Sequence, residues 1–365
     1  MNQLYRALHI PPKRLLRKLT GEKEIYTIAV RPVPRAEGTD PLPALGGTAY
    51  TMLPARPGFW YADPLLYHRD GRRWLYAEAM DLSTGLGRIE VCELHDDGTP
   101  GAWQVALQED FHLSFPTVFD WNGAIWMIPE TGSDHSLTLY RCTDFPDRWE
   151  KVQSFPLGGE YCDTILLDRT PGALTLLCSE TKPENQLYVR WRRCTLRRTT
   201  TEDVEGPSFV LEEDETFDLQ NRTFDLTSRN AGPLFLLDGQ VIHPTQVSTE
   251  VDYGVYLQFL VQRGASEVPL CAATPQNVVI EGIPAKDIIG IHTYCRDDRV
   301  EVIDARYLKR VAVPARPNPS ARAKPDAVPD IPLPAEPPQD AGDPTGEAPA
   351  QPEGPEPPQT GGTLC

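Results

Sequence analysis

The stretch Trp60 to Glu78, WYADPLLYHRDGRRWLYAE, decides the fold because the chain repeats its grammar. The same pattern returns at Ser114 to Glu130 (SFPTVFDWNGAIWMIPE), Tyr161 to Glu180 (YCDTILLDRTPGALTLLCSE), Asn230 to Gln246 (NAGPLFLLDGQVIHPTQ) and Ile291 to Asp304 (IHTYCRDDRVEVID). In each, a polar or special residue (Asp63, Pro116, Asp163, Gly232, His292) precedes a short apolar run, and a turn then leads into a second run. Asp70-Gly71, Asn122-Gly123 and Asp238-Gly239 supply the positive φ angles of the tight primed turns that join antiparallel strands. The units recur at intervals of roughly 50 to 70 residues, the spacing of four-stranded blades with loops.

The sequence therefore predicts an all-β protein, a five-bladed β-propeller over residues 25–312. A basic N-terminal extension, residues 1–24, precedes it, and a disordered Pro/Ala/Glu-rich tail, residues 313–365, follows. Runs at Ile89 to Leu94, Leu137 to Cys142 and Leu187 to Trp191 read as outer strands of the first three blades. Ile25 to Val30 reads as a strand added to the last blade, which would close the ring and remove free sheet edges. Thr199 to Arg229, polar and acidic, reads as an insertion before the fourth blade. In the extension, Lys13, Arg14, Arg17, Lys18 and Lys23 accompany Leu15, Leu16 and Leu19, a pattern suited to a short helix in weak contact with a membrane or protein. Propeller geometry turns the innermost strands toward one axis, so Asp63, Pro116 with His112, Asp163, Arg229 and His292 are expected to converge there.

Composition excludes several classes. A formal charge of −17 disfavours nucleic acid, whose phosphates demand a basic face. Much of the excess in 37 prolines lies in the C-terminal stretch, which has too few large apolar side chains to offset the entropy of ordering it. No run approaches the ~18 apolar residues of a transmembrane helix, and no signal-peptide core is present. A cytoplasmic protein is expected. The eight cysteines show no metal-finger spacing and read mostly as buried apolar residues, with Cys365 an exposed thiol. Neither a metal nor a cofactor is expected, since a Gly-rich phosphate loop, HExxH and a nucleophile elbow are all missing.

YADP at Tyr61 to Pro64, HLSFP at His112 to Pro116, MIPE at Met127 to Glu130, LYRCTDFPDRW at Leu139 to Trp149, the Asp163 strand, RNAG at Arg229 to Gly232, Tyr253-Gly254 and GIHT at Gly290 to Thr293 follow in order. Together they resemble the N-terminal propeller domain of glucosamine inositolphosphorylceramide transferase and its bacterial relatives. That domain is similar to the five-bladed propellers of glycoside hydrolase family 43. The resemblance implies a base in the first blade, matched by Asp63, an orienting acid in the second, and an acid in the third. The second blade opens on Pro116-Thr117 without a carboxylate, and the third offers Asp163 where a Glu is implied. Where relatives carry Arg-Pro-x-Gln this chain has His243-Pro244-Thr245-Gln246, which leaves a cationic contact there lost or dependent on pH. The plant proteins continue into a transferase domain, whereas the tail is all that is read here, so transferase activity is not carried over.

Glycoside hydrolysis needs one carboxylate to activate water or attack the sugar and one carboxylic acid to protonate the leaving oxygen. The catalytic candidates are Asp63, Glu130 and Asp163, with Glu130 able to supply the missing acid from the end of a second strand. Glu78, His112, Arg229, Gln246 and His292 are candidate ligand contacts. Arg229 suits an anionic group, and Trp60 and Tyr61 read mostly as core aromatics, either of them also able to stack on a sugar face. Trp121 and Trp126 read as core. Two functions follow, a glycosidase-like enzyme acting on a glycan or glycoconjugate, and a non-catalytic glycan or sugar-nucleotide binding module. A protein-interaction propeller comes third.

Overall fold

The computed structural model describes residues 22–33, 48–199, 208–220, 223–224, 227–263 and 266–310. The basic extension up to residue 21 and the Pro-rich stretch from residue 311 lie outside the described residues. Strands are grouped into five antiparallel sheets, one per blade. Blade I holds Phe59–Arg69, Arg72–Asp81, Gly87–Glu93 and Gln104–Leu107, counted outward from the axis. Blade II holds Ser114–Trp121, Ala124–Glu130, Ser136–Asp144 and Arg148–Pro156. Blade III holds Tyr161–Arg169, Ala173–Lys182, Asn185–Thr199 and Ser208–Glu213. In blade IV, Ser228–Asn230 and Phe235–Leu237 share the innermost place against Gln240–Val247, followed by Tyr256–Arg263 and Ser266–Ala273.

The predicted hairpins form as read. Asp70-Gly71 has φ of 52° and 73°, Asn122-Gly123 51° and 77°, and Asp238-Gly239 49° and 71°, values that only a short polar residue and glycine adopt at low cost.

Blade V closes the ring. Ile288–Gly290 and Tyr294–Arg296 pair with Val300–Arg310, which in turn pairs with Glu22–Pro32 from Glu22 opposite Arg310 to Pro32 opposite Val300. The expected closing strand is therefore present and longer than Ile25 to Val30. Thr51–Met52 completes the sheet.

One reading needs correction. Thr199 to Arg229 is not simply an insertion, because Ser208–Glu213 forms the fourth strand of blade III. Phe209 explains why: it is buried against Trp121 and Trp126 in the layer between blades II and III. A short helix, Glu215–Gln220, follows, and among the described residues no helix is long and apolar enough to cross a membrane. Buried side chains between neighbouring blades make the core, with Tyr76, Met127 and Tyr140 in one cluster and Phe259, Tyr294 and Ile303 in another. The cysteines described in the structure are free, and most are buried.

Blades IV and V meet at a backbone contact that tolerates no side chain. Gly232 has φ of +151°, and a Cβ there would lie 1.9 Å from the Tyr294 carbonyl oxygen. Tyr294 N–H donates to the Ala231 carbonyl at 2.7 Å beside it. Gly232→Ala is expected to cost about 3 kcal/mol and to lower the thermal midpoint by roughly 10 °C. An unchanged melting curve would show that the two blades separate freely at this point.

Candidate functional site

The site begins with a backbone irregularity repeated in three blades. The innermost strands of blades I, II and III lose register between Ala62 and Leu65, Ser114 and Thr117, and Cys162 and Ile165. Within these bulges Asp63, Phe115 and Asp163 hold φ of 50°, 42° and 51°. Left-handed backbone at a non-glycine residue is strained, and such bulges re-aim side chains. The second-blade equivalent is thus Phe115 rather than Pro116. Phe115 is fully buried with Leu65, Ile165 and Leu177, an apolar plug between two aspartates. Further along the same strands, Leu66, Val118 and Leu166, joined by Leu234 of blade IV, help to line a separate cavity of about 220 Å³.

The second strand of each blade sets a side chain opposite the bulge. Glu78 faces Ala62, Glu130 faces Ser114, Ser179 faces Cys162, and Gln246 faces Arg229. Asp304 takes the corresponding place in blade V, its amide bonded to the Thr293 carbonyl at 3.2 Å.

Two hydrogen-bonded groups result. In the first, Asp304 Oδ1 accepts the amides of His292 (3.0 Å) and Thr293 (2.9 Å), while Oδ2 accepts the Asp63 amide (3.0 Å) and lies 2.6 Å from His292 Nδ1. Thr293 Oγ1 donates to Asp63 Oδ1 at 2.6 Å. Burial pushes Asp63 up to about 6; His292 opposes the rise, and Asp304 and Asp163 add to it. Burial works against a charged His292, yet Asp304, Asp63 and Asp163 outweigh it and raise its pKa. Burial also opposes ionisation of Asp304, but the His292 ring and the amides of Asp63 and His292 hold it below the usual range. The rings of Tyr26 and Tyr253 pack on His292 at 4.8 and 5.4 Å.

The second group centres on Arg229. Its Nε donates to Asp163 Oδ2 at 2.5 Å and its Nη2 to Glu130 Oε2 at 3.5 Å, with the guanidinium 5.1 Å from the Tyr253 ring centre. Glu130 Oε2 also accepts the Asp163 amide at 3.2 Å. Gln246 Nε2 donates to Asp163 Oδ2 (3.3 Å) and to the Asn230 carbonyl (3.2 Å), and Asn230 Nδ2 donates to the Asp163 carbonyl (2.7 Å). Burial, and next Asp163, push Glu130 up to about 8 against the pull of Arg229.

This shift fixes a sign. Folded Glu130 keeps a proton that the unfolded chain has released, so stability falls as pH rises from about 4.5 to about 8. Glu130→Gln is expected to match the parent near pH 5 and to melt higher than the parent near pH 9. Parallel curves across that range would remove this account of Glu130.

Among the predicted site residues, Asp63, Glu78, Glu130, Asp163, Arg229 and His292 lie close enough for their charges to act on one another. Gln246 joins them through Asp163, and His112 stands beside Glu78 at 3.5 Å. Two further residues have structural places. His243 is held between Asn230 Oδ1 (2.9 Å) and Glu267 (3.1 Å) and so is part of the scaffold. Tyr61 is buried against Trp103, its hydroxyl donating to Glu90 at 2.7 Å, so it offers no face to a sugar. Trp60 is only half-buried, next to Tyr26.

Asp304, Thr293, Asn230 and Tyr253 were missed as site residues. Asp304 carried a usable signal, since it ends the fifth repeat much as Glu78 and Glu130 end theirs. Asp63, His292 and Asp304 bring donor atoms within 4.8 Å of one another, as do Glu130, Cys162 and Asp163. Those donors are largely engaged, with His292 on Asp304, Asp163 on Arg229, and the Cys162 thiol on the Ser179 carbonyl at 3.0 Å.

Comparison with known proteins matches this architecture to a family. In Arabidopsis thaliana, glucosamine inositolphosphorylceramide transferase 1 is 30% identical over 206 residues, covering 54% of this chain and 25% of that protein. The protein of the same name from Oryza sativa subsp. japonica is 40% identical over 101 residues, 26% of this chain and 13% of its own length. The chain thus spans about a quarter or less of these curated relatives. Among solved structures, the catalytic domain of the Coprinopsis cinerea GH62 α-L-arabinofuranosidase overlays 72% of this chain and 95% of its own at 12% identity, with a TM-score of 0.43. Residues 48–263 match the family profile described as glucosamine inositolphosphorylceramide transferase 1, N-terminal, and the chain belongs to that family.

Proposed function

We propose that the axial site is carbohydrate-active and works by paired-carboxyl chemistry, with Asp63 as base and Glu130 as acid. The observation that carries this reading is the meeting at the axis of two carboxyls from adjacent blades that burial raises to different degrees, Asp63 to about 6 and Glu130 to about 8. Between about pH 6 and about 8, Asp63 is ionised while Glu130 keeps its proton. A pair of carboxyls whose surroundings separate their pKa values is what acid and base catalysis at one bond requires. The names of the curated relatives, which contain glucosamine and an inositol-bearing lipid, support a sugar as the ligand.

In this reading Asp63 removes a proton from water as the oxygen bonds to the anomeric carbon. Glu130 gives its proton to the departing oxygen as the old glycosidic bond breaks. Asp163 and Arg229 orient Glu130, His292 steadies Asp63 through Asp304, and Glu78, His112 and Gln246 surround the sugar. The test is turnover of aryl pentosides, furanosides and oligosaccharides by the purified chain, beside Asp63→Asn and Glu130→Gln. No turnover on any of them, or turnover indifferent to both substitutions, overturns the enzymatic reading.

Phe115 favours a second reading. With an apolar side chain at the second-blade bulge and Asp163 held on Arg229, the site also suits a non-catalytic module that binds a glycan or sugar nucleotide. Its signature is calorimetric binding without cleavage, abolished by Arg229→Ala and His292→Ala. Failure to bind any sugar, lipid-linked sugar or sugar nucleotide counts against both readings.

A further inference from the structure

We propose that Glu78 is a neutral hydrogen-bond donor of the axial site, a carboxylic acid that offers its proton to an acceptor oxygen of the ligand, with His112 as the residue that positions it. The reason lies in what surrounds the carboxyl group. Glu78 is 5% exposed, and its Oε1 is buried without a hydrogen-bond partner. A buried polar atom left unsatisfied in a native fold calls for an explanation. The ionisable groups that act on Glu78 are Asp63, Glu130 and Asp304, all acids. Burial first, and those three acids next, push it well above the usual carboxyl range.

The nearby cations are engaged elsewhere. Arg229 bonds Asp163 and Glu130, His292 bonds Asp304, and Arg88, next to Gly87 in the chain, bonds Glu90 and Gln108. His112 comes nearest, with Nε2 at 3.5 Å from Glu78 Oε1. Its other ring nitrogen, Nδ1, accepts the Gly87 amide at 3.0 Å. That bond fixes the tautomer: the ring hydrogen sits on Nε2, pointed at Glu78, and a second proton on Nδ1 would break the bond to Gly87. Burial lowers the His112 pKa in the same direction. A ring held neutral cannot balance an ionised Glu78, so the carboxyl keeps its proton. With Oε1 turned to His112, the hydroxyl is carried on Oε2.

Gly87 is what allows the pair to meet. A Cβ there would stand 2.8 Å from Glu78 Oε1, 2.7 Å from His112 Cε1 and 2.6 Å from the Leu113 carbonyl oxygen. The three residues, from the second and third strands of blade I and the segment entering blade II, therefore form one constructed unit. Only the identity of the ligand, a hydroxyl-rich sugar, rests on the function proposed above; the protonation of Glu78 does not.

The experiment uses the full chain with glutamate labelled at its side-chain carboxyl carbon and histidine labelled at its ring nitrogens, followed by NMR from pH 5 to pH 9. The expected spectrum has a carboxyl signal that stays in its protonated position well after the exposed glutamates have ionised, vanishes in Glu78→Gln, and shifts in His112→Asn. The His112 ring should carry its hydrogen on Nε2 throughout. In binding or turnover, Glu78→Ala should lose at least about 10-fold, and Glu78→Gln, whose amide still donates, should lose clearly less than Glu78→Ala. A Glu78 signal that titrates at the ordinary glutamate value, or that ignores His112→Asn, overturns the proposal. If no sugar binds, the carbohydrate reading falls and the spectrum alone decides the state of Glu78; if Glu78→Ala does not fold, the spectra of the parent and His112→Asn decide it.

Discussion

Asp63→Asn is expected to reduce turnover by about 10² to 10⁴, the range that general acid–base groups contribute, while leaving the fold and ligand affinity nearly intact. Asparagine tolerates left-handed backbone as well as aspartate does, so φ of 50° at this position survives the change. Its Oδ1 still accepts the Thr293 hydroxyl, and its amide still reaches Asp304. What disappears is the ability to take a proton. The parent's rate should therefore rise with pH through about 6 as Asp63 ionises and fall through about 8 as Glu130 loses its proton. In Asp63→Asn the residual rate should lack the limb near 6 and keep the one near 8. Initial rates from pH 4 to pH 10 test this directly; a full bell in the variant would assign the acid limb to another group and remove Asp63 as base.

Arg229→Ala should have the largest effect on stability. The guanidinium is 11% exposed and lies between Asp163 and Glu130, which are 3% and 17% exposed. Breaking a buried ion pair by deleting one partner costs about 3 to 5 kcal/mol, because the remaining charge has lost its compensation. For a domain of this size that corresponds to a drop of roughly 10 °C or more in the thermal midpoint. The loss should deepen above pH 8, where Glu130 would otherwise ionise next to the cation. Arg229→Ala with Asp163→Asn should recover part of the loss, since the second change removes the stranded charge; equal melting of the single and double variants would place the damage in packing against Tyr253 instead. Calorimetric melting at pH 6 and pH 9 distinguishes these outcomes.

The parts of this structure that could be read from the sequence were those governed by local chemistry. Asp-Gly and Asn-Gly turns, short β-rich runs and a regular interval were enough to specify the blades, and an unmatched strand near residue 25 was enough to close the ring. The strand at Ser208–Glu213 was hidden because only Phe209 in it is fully buried, Val210 is exposed, and the short run ends in Glu212 and Glu213. Choosing Pro116 over Phe115 was an error of one residue, and it arose because a bulge breaks the alternation on which such alignments rest. Whether the cationic contact at His243 was lost or dependent on pH stayed open in the sequence, because its partners Asn230 and Glu267 are set by strand pairing that the linear pattern does not encode. The carboxyl groups themselves were legible. Which of them would share a proton, a guanidinium or an imidazole was not, because those pairings join blades remote in sequence.

That remoteness bears on biosynthesis. The Asp63 amide reaches Asp304 across 241 residues, and the fifth sheet itself pairs a strand from each end of the ring. Contacts of such separation form late, since a long loop must close before they repay its entropy. While a ribosome is still making blade IV, Asp63 has neither Thr293 nor Asp304 to hold it, so a nascent chain carries the acid without its setting. The axial cluster is thereby complete only once synthesis has passed the fifth blade.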